Sequence, residues 1–153
     1  MDSRRRWPEE GNPVRPVVNK DIVAEAFGDW SAGTGGVFDL LAPDATWTIV
    51  GNATVSGTYS GKEHFLRTVI DPLNARLATP LVPVVQALYA EGDTVIAHFT
   101  ASATAADGRP YENEYTWYLT LDRGQVATVV AFFDSVAFND LWTRVDPGSA
   151  GAT

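Results

Sequence analysis

The sequence predicts an α+β fold, a curved antiparallel sheet wrapped on three N-terminal helices. Two observations support this prediction. Up to about residue 75 the apolar residues recur mostly at helical spacing, whereas from about residue 80 they alternate with a period of two. Helices followed by consecutive hairpin strands are typical of an antiparallel sheet with helices on one face. The chain of 153 residues accommodates one domain with a sizeable core.

The helices and the early strand are predicted from end signals and apolar spacing. The first helix begins with Asn19 as its N-cap and ends near Ser31. The second helix is VFDLLA, residues 37–42, and ATWTIVG, residues 45–51, has the composition of a strand. A third helix follows SGKE, residues 60–63, which fits a capping box.

Four strands are predicted near 82–90, 94–104, 111–121 and 125–134, separated by the turn-rich segments EGD, ADGRP and DRG. In the third of these strands, YENEYTWYLTL, side chains alternate between a charged side and an aromatic side. The charged side is expected to face solvent. Asn113, Tyr115 and Trp117 are therefore expected in the interior, either as a satisfied core or as the wall of a pocket.

Three segments are predicted along the chain. They are a disordered or extended tail over 1–18, a single domain over 19–145 and a frayed tail over 146–153. The N-terminal arginines are not followed by the apolar stretch of a secretory signal, and no run has the length of a membrane span. We therefore expect a cytoplasmic protein without a membrane partner.

Charge and composition exclude several classes of function. The net charge is −8, and residues 19–153 contain seven basic and sixteen acidic residues. Such an acidic domain repels a phosphate backbone, so no nucleic-acid partner is expected. The chain has no cysteine, and its two histidines lie far apart in the sequence. We therefore predict no metal site.

Three segments carry a resemblance to a known family: LLAPDATWTIVG, SGTYSGKEHF and DGRPYENEYTWYLTLDRGQVATVVAFFDS. In order and spacing they resemble the nuclear transport factor 2-like superfamily, in its ketosteroid isomerase and SnoaL-like polyketide cyclase branch. The resemblance implies a cone with a deep pocket at its open end and a homodimer. It also implies cofactor-free acid–base chemistry on a small hydrophobic molecule.

The catalytic groups of the better-known members are missing at the matching positions. The three ketosteroid isomerase positions correspond to Ala26, Ile49 and Trp117, and those of limonene epoxide hydrolases to His98, Thr100 and Ala131. A resemblance to dehydrochlorinases places Asp29 near the aspartate of a catalytic dyad, but Ala75 occupies the position of its histidine.

Four residues are candidates for chemistry. The resemblance places His98 in the pocket, where an imidazole can transfer protons, although it is equally expected to be a silent, hydrogen-bonded histidine. Tyr115 and Asn113 can polarise a substrate oxygen, or can simply satisfy each other and the backbone. Asp29 is a possible second base, but its spacing from Asp21 and Glu25 favours an exposed helix face.

The remaining candidates form the expected wall of the pocket. Aromatic side chains on one concave wall would favour a flat, apolar ligand, although a plain core is the simpler explanation for each of them alone. The predicted substrate-binding residues are Trp30, Trp47, Ile49, Thr100, Trp117, Val129, Ala131 and Phe133.

Three functions remain open from the sequence. The first is a cofactor-free isomerase, cyclase or lyase acting on a small hydrophobic carbonyl or polyketide-like compound. The second is a non-catalytic module of the same fold that binds small molecules or dimerises. The third is an epoxide hydrolase with a rearranged polar set.

Overall fold

A computed structural model describes residues 14–147, with side chains described from residue 18 onward. One curved, six-stranded sheet packs on helices, which confirms the predicted α+β class. The sheet consists of β1 (Leu41–Ile49), β2 (Gly57–Ser60), β3 (Val82–Glu91), β4 (Thr94–Thr104), β5 (Pro110–Asp122) and β6 (Gln125–Phe133). The strand order is β2-β1-β6-β5-β4-β3. All neighbours are antiparallel except β1 and β6, so the sheet is mixed rather than purely antiparallel.

The helical part differs from the prediction at both ends and in the middle. It consists of α1 (Val14–Ala32), a 3-10 turn (Val37–Leu40), α2 (Lys62–Phe65), a π-helical turn (Leu66–Ile70), α3 (Asp71–Asn74) and α4 (Ser135–Arg144). The first helix begins five residues before Asn19, so the end of the predicted tail is helical. The predicted tails over 1–13 and 148–153 lie outside the described residues.

The predicted second helix is wrong, because only its first four residues are helical. Residues 37–40 form a single 3-10 turn, and β1 already begins at Leu41. Burial alternates along β1, and Trp47 and Ile49 lie on the side that faces the core. Pairing with β6, which lies more than eighty residues later in the sequence, determines this outcome, and local apolar spacing does not reveal it.

The predicted capping box is also wrong, although the third helix exists. Ser60 is the last residue of β2, and Gly61, with φ of 95°, is the N-cap of α2 without a side-chain cap. Phe65, Val69 and Leu73 are buried as predicted. Pro72, which lacks an amide donor, follows the π-helical turn, so the helix changes its geometry there and ends soon afterwards.

The four late strands match their predicted ranges to within one residue at each end. The hairpin of β4 and β5 pairs Ala97 with Trp117 and His98 with Thr116. Directly opposed residues share one face of a sheet, so Ala97 and Trp117 face the helices whereas His98 and Thr116 face outward. None of the helices in residues 14–147 is long and apolar enough to span a membrane.

Candidate functional site

A cavity of about 670 Å³ lies between the concave face of the sheet and the helices. Its walls come from α1, the glycine-rich loop after it, β1, the helical segment 62–74, the loop before β3, β5, β6 and α4. The lining side chains include Trp30, Phe38, Asp39, Trp47, Ile49, Phe65, Tyr115, Trp117, Ala131 and Phe133. Trp117 and Trp47 are thus walls of the cavity and leave it open.

Aromatic rings dominate the walls and support one another. The Trp30 and Trp117 rings are nearly parallel, with centroids 6.0 Å apart, and Trp47 stacks on Phe65 at 4.3 Å. The Trp117 ring also meets Trp47 edge-on at 4.9 Å. Because each ring contacts several others, the wall is closely packed and apolar, which suits a flat hydrophobic ligand.

Two tyrosine hydroxyls form a buried pair at this wall. The Oη atoms of Tyr111 and Tyr115 are 2.8 Å apart, and Tyr115 lines the cavity. Burial raises the pKa of the Tyr115 hydroxyl well above its ordinary value, and the neighbouring Tyr111 raises it further. Burial also raises the pKa of Tyr111, partly offset by its hydrogen bonds with Tyr115 and Asn113. Both hydroxyls therefore stay protonated at neutral pH.

Asn113 holds this pair in place, and its amide orientation is dictated by its neighbours. Its Oδ1 accepts from the backbone amides of Glu114 and Asp134, at 2.7 and 3.0 Å. Its Nδ2 donates to the carbonyl of Asp134 at 3.0 Å and to Tyr111 Oη at 2.9 Å. The amide is therefore fully used, and Asn113 is not among the residues that line the cavity. Its role in the fold is to position Tyr111 and the junction between β6 and α4.

The two tyrosine hydroxyls share one hydrogen bond, in which either oxygen can be the donor. Asn113 donates to the oxygen of Tyr111, which keeps a proton of its own and a second lone pair. In the arrangement in which Tyr111 donates to Tyr115, the proton of Tyr115 is available to a ligand in the cavity.

The indole of Trp117 contains a donor that is not satisfied. Among the described residues, its buried Nε1 has no hydrogen-bond partner. By contrast, Trp30 Nε1 donates to the carbonyl of Leu81 at 2.8 Å. An unpaired buried donor costs about 1–3 kcal/mol and is rare in folded proteins.

Asp39 is a site residue that the sequence did not single out. Among the described residues that line the cavity, it alone carries a formal charge. Its Oδ2 accepts from the amide of Gly36 at 3.0 Å, which fixes the carboxylate beside the glycine-rich loop. A Cβ atom on Gly35 would lie 3.3 Å from this oxygen and 3.4 Å from Cβ of Asp29. The run of glycines before VFDL was the available signal, because a rim packed this closely excludes side chains.

His98 does not face the cavity, so the placement expected from the resemblance is wrong. It lies on the outer face of β4, where its side chain is 37% exposed and its Nε2 is 2.5 Å from Glu114 Oε2. Thr100 shares that face, 3.5 Å from Gln86 Nε2. The inner face of β4 is instead formed by Val95, Ala97, Phe99 and Ala101, all of them buried and apolar.

The other predicted residues divide between the cavity and its surroundings. Asp29 is exposed on α1, as its spacing favoured, and Val129 is buried in the core; neither lines the cavity. Seven of the predicted residues do line it: Trp30, Trp47, Ile49, Tyr115, Trp117, Ala131 and Phe133. Within residues 14–147, no group of three or more acidic or histidine side chains is placed to hold a metal ion.

Comparisons with known proteins agree with this architecture. A family model described as a SnoaL-like domain matches residues 20–129. No curated protein matches the sequence significantly. A nuclear transport factor 2-like protein of unknown function from Burkholderia pseudomallei is similar in structure, with 22% identity and a TM-score of 0.68. The match covers 82% of this chain and 97% of that one.

Two further solved structures are named as candidate polyketide cyclases. One, SnoaL-like and from Jannaschia, has 17% identity and a TM-score of 0.69, covering 90% of this chain and all of that one (100%). The other, IdmH from Streptomyces antibioticus, has 21% identity and a TM-score of 0.63, covering 80% of this chain and 96% of that one. At these identities the similarity establishes the fold, whereas the chemistry depends on the residues present here.

Proposed function

Because the chain belongs to the SnoaL-like domain family, we propose that it is a cofactor-free acid–base enzyme acting on a small hydrophobic carbonyl or polyketide-like compound. The reaction would be an isomerisation, a cyclisation or an elimination that begins with proton transfer. The observation that carries this proposal is the aromatic cavity, which combines a hydroxyl donor from Tyr115 with a carboxylate from Asp39. The two candidate polyketide cyclases of the same fold support the choice of substrate class.

Tyr115 is the proposed donor to the substrate oxygen. Its raised pKa keeps the hydroxyl protonated, so it can hydrogen-bond a carbonyl and the more basic enolate oxygen formed from it. Tyr111, itself held by Asn113, is the proposed positioning residue, because it orients the Tyr115 hydroxyl without lining the cavity.

Asp39 is the proposed base. Its carboxylate removes a proton from the carbon next to the carbonyl, and the electrons of that C–H bond move into the enolate. Return of the proton to a different carbon of a conjugated enolate gives isomerisation. Attack of the enolate carbon on a second carbonyl gives cyclisation, in which the C=O π electrons move to the carbonyl oxygen and that oxygen takes up the proton from Asp39. In this proposal Asp39 takes the role that the sequence assigned to His98 and Asp29, since neither of those residues lines the cavity.

Exchange of α-protons tests this chemistry without knowledge of the natural substrate. The probe is 2-tetralone in D₂O, and loss of its α-proton signals is followed by NMR. We expect the protein to accelerate exchange above buffer, and Asp39→Asn and Tyr115→Phe each to slow it by about 100-fold. His98→Ala is the control and should exchange at the wild-type rate. Exchange that depends on His98 and is indifferent to Asp39 would refute these roles.

A non-catalytic binding module is the second candidate, and one observation favours it. Among the described lining residues, Asp39 carries the only carboxylate, and that carboxylate already accepts a backbone hydrogen bond. Binding of 2-tetralone without any acceleration of exchange would support this function. An epoxide hydrolase has less support, since His98 and Thr100 face outward and Ala131 contributes only a methyl group to the cavity.

A homodimer is proposed as well, through the outer face of the sheet. Register places Tyr89, Ile96, Tyr118 and Val130 in one row across four strands, and Phe132 contacts Tyr118 edge-on at 5.9 Å. Four of these five side chains are at least 36% exposed, which is unusual for a contiguous apolar row on a monomer. Light scattering should give twice the monomer mass for wild type and the monomer mass for Tyr118→Lys. A monomeric wild type at all concentrations would contradict this proposal.

A further inference from the structure

We infer that the indole N–H of Trp117 selects ligands that carry an acceptor oxygen, so that Trp117 is a specificity-determining residue. The inference rests on the proposed function only in that the ligand occupies the same cavity. Trp117 is 5% exposed, lines that cavity and has no acceptor for Nε1 among the described residues. Because this buried donor is unpaired in the free protein, the protein should have the highest affinity for a ligand that provides a hydrogen-bond acceptor for it.

Two other nitrogen donors near this wall already have partners. Trp30 Nε1 donates to the carbonyl of Leu81, and Asn113 Nδ2 donates to Tyr111 and to the carbonyl of Asp134. A ligand oxygen can therefore gain a hydrogen bond from Trp117 in addition to the one proposed from Tyr115. A hydrocarbon of the same shape leaves that donor unpaired.

The packing of the ring holds the donor in a defined place. Trp30 lies nearly parallel to it, and Phe99 and Trp47 meet it edge-on at 4.8 and 4.9 Å. Since Nε1 is closed off in the free protein, its contact with a ligand forms only as the surrounding side chains shift on binding. The indole N–H resonance reports this contact directly, because it moves downfield when the proton is hydrogen-bonded.

The test compares 9-fluorenone with fluorene, two flat probes that share a ring system and differ by one carbonyl oxygen. Fluorenone has no exchangeable α-proton, so binding is measured without turnover. We expect Trp117→Phe to weaken fluorenone binding about tenfold more than fluorene binding, which corresponds to about 1.4 kcal/mol. Trp30→Phe is the matched control; its indole N–H is already used, so the loss should be equal for both probes.

Nuclear magnetic resonance of the ¹⁵N-labelled wild-type protein provides a second measurement that does not depend on folding of the variant. The Trp117 indole signal, assigned with single-tryptophan variants, should move downfield with fluorenone and stay in place with fluorene. Equal affinity losses in Trp117→Phe, or an indole signal that responds alike to both probes, would overturn the inference and leave the proposed cavity intact. Failure of both probes to bind the wild type would overturn the inference and the proposed function together.

Discussion

The inner and outer faces of β4 and β5 have opposite chemistry although the same two strands form both. The inner face buries Val95, Ala97, Phe99 and Ala101 on β4 against Tyr115 and Trp117 on β5. The outer face has the hydrogen bond between His98 and Glu114 and an exposed Tyr118. Residues that are adjacent in the sequence thus lie in different environments. A titratable residue that is adjacent in the sequence to a cavity-lining residue therefore need not face the cavity itself.

We expect the largest difference between the two faces when one carboxylate is introduced on each and the losses of unfolding free energy are compared. Ala97→Asp buries an unpaired carboxylate in an apolar core, and we expect it to lower the free energy of unfolding by at least about 4 kcal/mol. Val84→Asp places the same carboxylate beside Thr100 on the outer face, outside the proposed dimer row, and should cost about 1 kcal/mol. Urea denaturation followed by circular dichroism measures both. Similar losses for the two variants would contradict the assignment of the faces.

The polar part of the inner face should be nearly as sensitive. Asn113→Ala leaves the amide of Asp134 and the hydroxyl of Tyr111 without their partner, so we expect a loss of about 3 kcal/mol in unfolding free energy. Ser102→Ala, on the outer face of the facing strand, is the control and should be nearly neutral. A loss below about 1 kcal/mol for Asn113→Ala would mean that water replaces the amide.

The two faces of β4 and β5 also show how much of the site can be predicted from the sequence. The alternation along β5 correctly placed Asn113, Tyr115 and Trp117 in the interior, because a strand buried on one face needs apolar residues at every second position. The alternation along β4 favoured the observed orientation too, since all four inner residues are apolar. The resemblance favoured the opposite orientation, and for His98 it was the resemblance that failed. Asp39 was not predicted as a site residue, because its position at the cavity depends on how the segment between α1 and β1 packs against the sheet.

Because Tyr111 and Tyr115 are buried, the free energy of unfolding should depend on pH in the alkaline range. Burial raises the folded-state pKa of Tyr115 above its unfolded value of about 10, so the protonated form is favoured in the folded protein. That stabilisation is complete below pH about 10 and is lost as the pH rises toward the folded pKa. The double variant Tyr111→Phe with Tyr115→Phe should show a flatter decline of unfolding free energy in this range. A decline as steep as that of wild type would contradict the burial of these hydroxyls.

Removal of the contact between His98 and Glu114 on the outer face should have the smallest effect on the free energy of unfolding. Both side chains of the His98–Glu114 pair are more than one-third exposed, so solvent screens their attraction. Glu114→Gln should change the free energy of unfolding by less than about 1 kcal/mol, and high salt should erase the difference. Thermal denaturation at two salt concentrations measures this effect. A larger, salt-independent loss would mean that the pair is buried, for example within the proposed dimer.

The α+β class, the four late strands and the aromatic face of β5 follow from the order of the amino acids alone, because periodicity and turn residues act over short distances. The folded structure adds that residues 41–49 join β6 as a parallel strand and that Asp39 reaches the cavity. Each of these depends on contacts between distant segments. A one-residue shift in such a contact exchanges the inner and outer faces of a strand, and local composition alone does not fix it.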